Sequence, residues 1–336
     1  MKTRLPLYLL VALFALATAM PTEAAREKRG QFKSLKSNIK KAKEPKLAKN
    51  KKAALKYLDK KGIQPGDYDK ALITSLEEGD CKTAAALIHA GAAVNAGGNE
   101  KKPLLLAAEH CTPEIIKLLL EKGADPECVD IQPIPNAMSM GKTVMFMAAK
   151  ANNLENLKYL HSIGFSCTAR TKDSHQGSSV LAEAVMNGSL ECVRYIIEKG
   201  GASPHEKFPG GMTLMHRAAR NGNMEVIKLL DSYGVGIDTL ATGYGLTPLC
   251  FAGQRGNQEA MQYLLARGAN PNLDLGRGGA KQLHVLAARA NQKTMQMLLK
   301  SKADFSLKNN AGKTFRDIAR EAGNQEALDF LDKHGL

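Results

Sequence analysis

The sequence predicts an all-α solenoid of helix-turn-helix units, on three observations. A short pattern recurs with reference positions at Lys70, Lys102, Thr143, Ser179, Thr213, Thr247, Lys281 and Thr314, spaced 32, 41, 36, 34, 34, 34 and 33 residues apart. Nine residues after each reference position comes a break: Gly79, Cys111, Asn152, Gly188, Gly222, Gly256, Ala290 and Gly323. Eight residues after each break comes Leu87, Leu119, Leu160, Ile196, Leu230, Leu264, Leu298 or Leu331, always Leu or Ile. A unit repeated at a nearly fixed period stacks on copies of itself.

The unit from Gly245 to Asn272 explains each piece. Thr247 can cap a helix through its hydroxyl, and Pro248 sits in a first turn where its missing N–H costs nothing. Leu249 and Ala252 share one face of that helix, and Gly256 ends it. Met261, Leu264 and Leu265 put an apolar stripe on a second helix, which Gly268 closes. Five residues after each break the side chain is also apolar: Ala84, Ile116, Leu157, Val193, Ile227, Met261, Met295 and Leu328. In the first helices, Ala at 107, 148, 184, 218, 252 and 319 lets the paired helices approach closely. Two short helices with one apolar face each cannot form a core alone, so neighbours are required.

The runs Thr247-Pro248-Leu249-Cys250-Phe251-Ala252 and Thr213-Leu214-Met215-His216-Arg217-Ala218 resemble the ankyrin repeat. So do the exits Gly91 to Asn95, Gly123 to Asp125 and Gly268 to Asn272. That family carries Thr-Pro-Leu-His-x-Ala, a Gly, a Val-x-x-Leu-Leu helix and a Gly-Ala-Asp-x-Asn exit, at a period of about 33. The resemblance covers residues 66 to 336. Lys302 departs from it at the Gly after a second helix, Asn152 at a break, and Arg316 at a first-helix Leu. The resemblance implies hairpin-like fingers between helix pairs, and a turn-bracing hydrogen bond from His216 and His284.

Four segments are expected. Residues 1–24 read as a signal peptide, with Lys2 and Arg4 before an apolar run from Leu5 to Ala19 and small residues after it. That places the protein outside the cytoplasm, periplasmic or secreted. Residues 25–46 form a basic, disordered arm. Residues 47–65 form an N-terminal capping helix with Leu47, Leu55 and Leu58 as apolar anchors. Residues 66–336 are the repeat array. Residues 26 to 61 hold 15 Lys or Arg against three acids, so +12 of the chain's +14 lies there. Lys2, Arg4 and Glu23 add +1, which leaves the array near neutral at about +1. The arm can contact an anionic surface. No aromatic residues interleave it for stacking on bases, so specific nucleic-acid binding is not expected.

Motifs for catalysis, metal or cofactor are missing from the sequence. Met140-Gly141-Lys142-Thr143 lacks the earlier Gly of a phosphate loop, because Asn136 stands there, and it reads as a repeat turn. Glu109-His110-Cys111 has adjacent side chains that point apart on a helix. An enzyme is not expected. Asn187-Gly188-Ser189 is a glycosylation acceptor in a eukaryotic context. In an oxidising compartment, Cys81 with Cys111 is a possible disulfide, since both lie at adjacent breaks. Cys128 with Cys167 is a second possibility. All six cysteines free remains the third, with Cys192 and Cys250 as small buried side chains.

By resemblance, a partner meets the finger tips and the concave face formed by the inner side of the first helices. The five positions that carry this face, over repeats two to eight, include Lys101, Lys142, Lys150, Arg220, Arg255, Arg277, Arg289 and Lys313, against Glu109 and Glu321. Met140, Met186, Met212, Tyr244 and Leu246 share the face as apolar anchors. The expectation is a monomeric scaffold that binds an acidic protein. The alternative is a polyanion- or membrane-surface-binding factor that acts through the arm.

Overall fold

The computed structural model describes residues 51–97, 102–128, 133–134, 137–138, 143–171, 178–276 and 282–336. The signal and arm expected at 1–46 lie outside these residues. The described residues open with α1 (Lys51–Lys60). Eight helix pairs follow: α2 (Tyr68–Glu77) with α3 (Cys81–Ala90), α4 (Pro103–His110) with α5 (Pro113–Glu121), α6 (Val144–Lys150) with α7 (Leu154–Ile163), and α8 (Val180–Met186) with α9 (Leu190–Glu198). The remaining four are α10 (Leu214–Asn221) with α11 (Met224–Ser232), α12 (Pro248–Arg255) with α13 (Gln258–Ala266), α14 (Gln282–Leu286) with α15 (Gln292–Lys300), and α16 (Phe315–Glu321) with α17 (Gln325–His334).

The pairs stack in two layers. Each first helix, from α2 to α16, packs on the first helix of the next pair, and each second helix packs likewise on the next second helix. α1 joins the second layer against α3. It buries Ala54 and Leu58, whereas Leu55, expected to anchor it, is 39% exposed. Ala54 and Leu58 are four apart and share a face, and Leu55 falls beside it.

The periodic positions form the core. The Leu or Ile after each break is completely buried in all eight pairs. So are the six first-helix alanines, from Ala107 to Ala319. Each buried Leu contributes about 1.5–3 kcal/mol by leaving water. Arg316 stands where a Leu was expected and turns away from the core. It bonds Asp332 and the Leu336 carbonyl, while Phe315 is buried edge-on to Phe305 at 5.2 Å.

Between pairs the chain makes short fingers. β1 (Pro133–Ile134) pairs antiparallel with β2 (Ala137–Met138), and β3 (Lys207–Phe208) with β4 (Met212–Thr213). Single bridges join Arg170 to Ser179 and Ala241 to Leu246 in two other fingers.

Two departures from the repeat pattern are visible as strained backbone. Asn152 and Lys302 are the non-glycine residues with positive φ among those described, at 55° and 57°. Asn tolerates this conformation; Lys carries the full clash of its Cβ with the carbonyl. Lys302→Gly is therefore expected to stabilise the fold by about 0.5–1 kcal/mol, after allowance for the freer unfolded glycine. Urea denaturation of the variant beside the parent measures it; an unchanged or lower midpoint contradicts the strain.

The break glycines have a second reason besides φ. A Cβ on Gly188 would lie 2.8 Å from the Asn223 side chain, and one on Gly222 would lie 2.9 Å from that of Asn257. These Asn side chains reach back across the repeat boundary. Asn223 Nδ2 donates to the Val185 carbonyl at 3.2 Å, and Asn257 Nδ2 to those of Ala219 and Arg220 at 2.9 and 2.8 Å. Asn153 does the same to Cys111, and Asn324 to Ala287 and Ala290. The ladder satisfies carbonyls that a helix end leaves without an intrahelical partner.

Candidate partner-binding face

The C-terminal ends of three consecutive first helices each carry an arginine, Arg220 one position earlier in its repeat than the other two. Arg220 lies in the last turn of α10, Arg255 ends α12, and Arg289 follows α14. All three are exposed. Cations are favoured there because the helix carbonyls point outward. A Cβ on Gly256 would lie 3.3 Å from Arg289 Nη1, so this guanidinium rests over the end of the preceding repeat, beside Arg255. Among the described residues no carboxylate forms an ion pair with Arg220, Arg255 or Arg289.

Tyr244 lies on the finger before α12, 40% exposed. Its ring meets Phe251 edge-on at 6.1 Å, and Phe251 meets His216 at 5.6 Å. The finger carrying Tyr244 is locked to the one before it. The Gly243 N–H donates to the Gly210 carbonyl at 2.9 Å, and a Cβ on Gly243 would lie 2.6 Å from Gly210 Cα. Only glycines allow backbones this close.

His216 braces the same region. The Thr213 N–H donates to Nδ1 at 3.0 Å, and Nε2 contacts the Leu246 carbonyl at 3.3 Å. With Nδ1 accepting, Nε2 carries the proton and donates it. Burial pushes the His216 pKa down to about 4. His284 makes the equivalent contact to the Leu307 carbonyl at 2.9 Å. Both bonds have the form the family resemblance implied.

A charged cluster supports the preceding finger. The Ser179 hydroxyl donates to Glu206, and Arg170 Nη1 pairs with Glu206 at 2.8 Å. Arg170 and Arg217 lie over the Phe208 ring at 5.1 and 4.3 Å. Burial raises the Glu206 pKa, against the Ser179 bond and the two arginines. The sequence reading missed this cluster, because its members lie up to 47 positions apart and no local spacing marks them.

Models of ankyrin repeats match residues 46–130, 104–161, 181–230 and 244–274. The chain belongs to the ankyrin repeat family. Ankyrin repeats are protein–protein interaction modules. No curated protein matches the chain significantly. The matches end at residue 274, yet α14 to α17 continue the same two-layer stack.

The rest of the face expected for an ankyrin repeat protein divides into groups. Lys101, Met140, Lys142 and Arg277 lie outside the described residues. Lys150 is exposed but pairs with Glu109 at 2.8 Å, and Lys313 pairs with Glu321 at 2.7 Å. The two acids of the face thus occupy two of its bases. Met212 is only 9% exposed and packs under its finger, which corrects its expected role as a surface anchor. Its strand pairing with Phe208 aims the side chain inward. Leu246 is half-buried beside Tyr244, and Met186 is half-buried with its sulfur 3.3 Å from Arg217.

Cys81 and Cys111 are free thiols at adjacent breaks, where a Cβ on Gly79 would lie 3.3 Å from the His110 carbonyl. Cys167 is buried against Gly200, where an added Cβ would lie 2.5 Å from the Cys167 Cβ, and Cys192 and Cys250 are buried on their helices. Among the described residues no group of three metal-ligating side chains converges, and no helix is long and apolar enough to cross a membrane.

Proposed function

We propose that this ankyrin repeat protein is an exported, non-enzymatic binding module that grips an acidic protein segment along Arg220, Arg255 and Arg289. Tyr244 and Leu246 supply apolar contact from the finger before α12. The observation that carries this reading is the row itself: three exposed arginines on consecutive repeats, without ion pairs among the described residues, with an exposed tyrosine on one of the fingers. Guanidinium forks match carboxylates, and central Tyr and Arg side chains dominate binding energy.

The Arg220→Glu/Arg255→Glu double variant tests it. Pull-down with the mature chain from its own compartment identifies the partner. The variant is expected to bind it about 100-fold more weakly or worse, because charge reversal places like charges together. Unchanged binding by a folded double variant overturns the proposal. The second reading rests on the +12 carried by residues 26 to 61. Deleting residues 26–46 separates the two: a partner held by the repeat face stays, and a polyanion held by the arm is lost.

A further inference from the structure

The first two repeats meet at a pair of cysteines on different secondary-structure elements. Cys81 opens α3, directly after the break at Gly79 and the cap at Asp80. Cys111 is itself the next break, in extended conformation between α4 and α5. The period brings the two breaks together: a Cβ on Gly79 would lie 3.3 Å from the His110 carbonyl. At this junction both thiols are free, and the Cys81 Sγ contacts the Gly79 carbonyl at 3.3 Å. The pair is asymmetric in access: Cys81 is half-buried and Cys111 is buried. Burial also raises the Cys111 pKa.

We infer that Cys81 and Cys111 are a disulfide site that staples the first repeat to the second. The oxidant is a small disulfide or a protein disulfide carrier. The Cys81 thiolate, the accessible member, attacks one carrier sulfur and releases the other as a thiol. The Cys111 thiolate then attacks the Cys81 sulfur in this mixed disulfide and releases the second carrier thiol. Two S–H bonds are lost and one S–S bond forms within the chain. The carrier's disulfide takes the two electrons and the two protons and leaves as two thiols.

The staple has a physical use at this place. In a stacked array each repeat is held only by its neighbours, and an end repeat has one neighbour fewer. On its outer side the first pair meets the helix α1 and the short turn Pro65–Asp67, not a further helix pair, among the described residues. A bond between residues 81 and 111 closes a loop of about 31 residues and restricts the unfolded chain at that end. Two of the remaining cysteines serve as internal controls: Cys192 and Cys250 are completely buried on a second-layer and a first-layer helix, respectively.

The test uses the full chain folded in a mixture of reduced and oxidised glutathione. The oxidised protein is expected to lose about 2 Da, two hydrogens for one disulfide. Non-reducing proteolysis is expected to give one cross-linked peptide that joins Cys81 to Cys111. Hydrogen exchange at α1 to α5 is expected to slow relative to the reduced chain, with α10 to α17 unchanged. Cys81→Ser and Cys111→Ser are each expected to abolish the mass loss; circular dichroism checks that they remain folded. If either variant fails to fold, the cross-link map and exchange of the unmodified chain decide. Six free thiols after equilibration overturn the inference, as does a cross-link that joins Cys128 to Cys167. A Cys81–Cys111 bond that leaves exchange in α1 to α5 unchanged overturns the stapling role.

Discussion

Leu230→Ala is expected to cost roughly 2–5 kcal/mol of stability. Leu230 lies on α11, near the middle of the array, and no part of it reaches solvent. Its layer is packed on both sides, by α9 and by α13, and its own first helix α10 lies beneath. A methyl-sized side chain leaves a void that short helices held on three sides close only in part. The loss therefore includes the transfer energy of the missing carbons and the unfilled space. In a one-dimensional stack the damage also weakens coupling between the halves on either side. Two resolved transitions in urea, where the parent shows one, are expected to accompany the loss. A shift below about 1 kcal/mol by chemical denaturation contradicts the core placement.

Acidification from pH 6.5 to 4 is expected to withdraw about 3 kcal/mol through His216 alone. Burial holds its pKa near 4 in the fold, and an unfolded His titrates near 6.5. Between those values the unfolded chain binds a proton that the folded one refuses. The stabilisation is thus complete above about pH 6.5 and is lost as the pH falls towards 4. Protonation would also turn Nδ1 into a donor facing the Thr213 N–H, which already donates to it. Glu206 acts in the opposite sense, since its raised pKa lets the fold take up a proton earlier than the unfolded chain does. His216→Gln isolates the histidine: its stability is expected to fall less steeply over this interval. Parallel pH profiles for variant and parent rule out the buried, neutral histidine.

Much of the fold is legible in the chain because burial in this protein is local and periodic. Leu119, Leu230 and Leu264 could be placed in the core from spacing alone, since every helix must turn the same stripe to its neighbours. The Asn ladder was legible too and went unread. The residue after each break is Asp80, Thr112, Asn153, Ser189, Asn223, Asn257, Asn291 or Asn324, all short polar caps. What local spacing hides is contact between side chains of different repeats. Lys150 and Glu109 are 41 positions apart, with an insertion between them, so neither reads as neutralised. Met212 has the neighbours of an exposed fingertip, and only its pairing with Phe208 turns it inward.

The sequence by itself determined the repeat, its two helices, its breaks and its buried stripe, because these depend on backbone preference and on periods shorter than one unit. The tertiary structure decided which arginines keep their charge unpaired, which thiols are buried and which finger residues face water. Those outcomes follow from how far each unit is turned and shifted on the next. That offset is set by the packing of whole helices and is written in no single stretch of the chain.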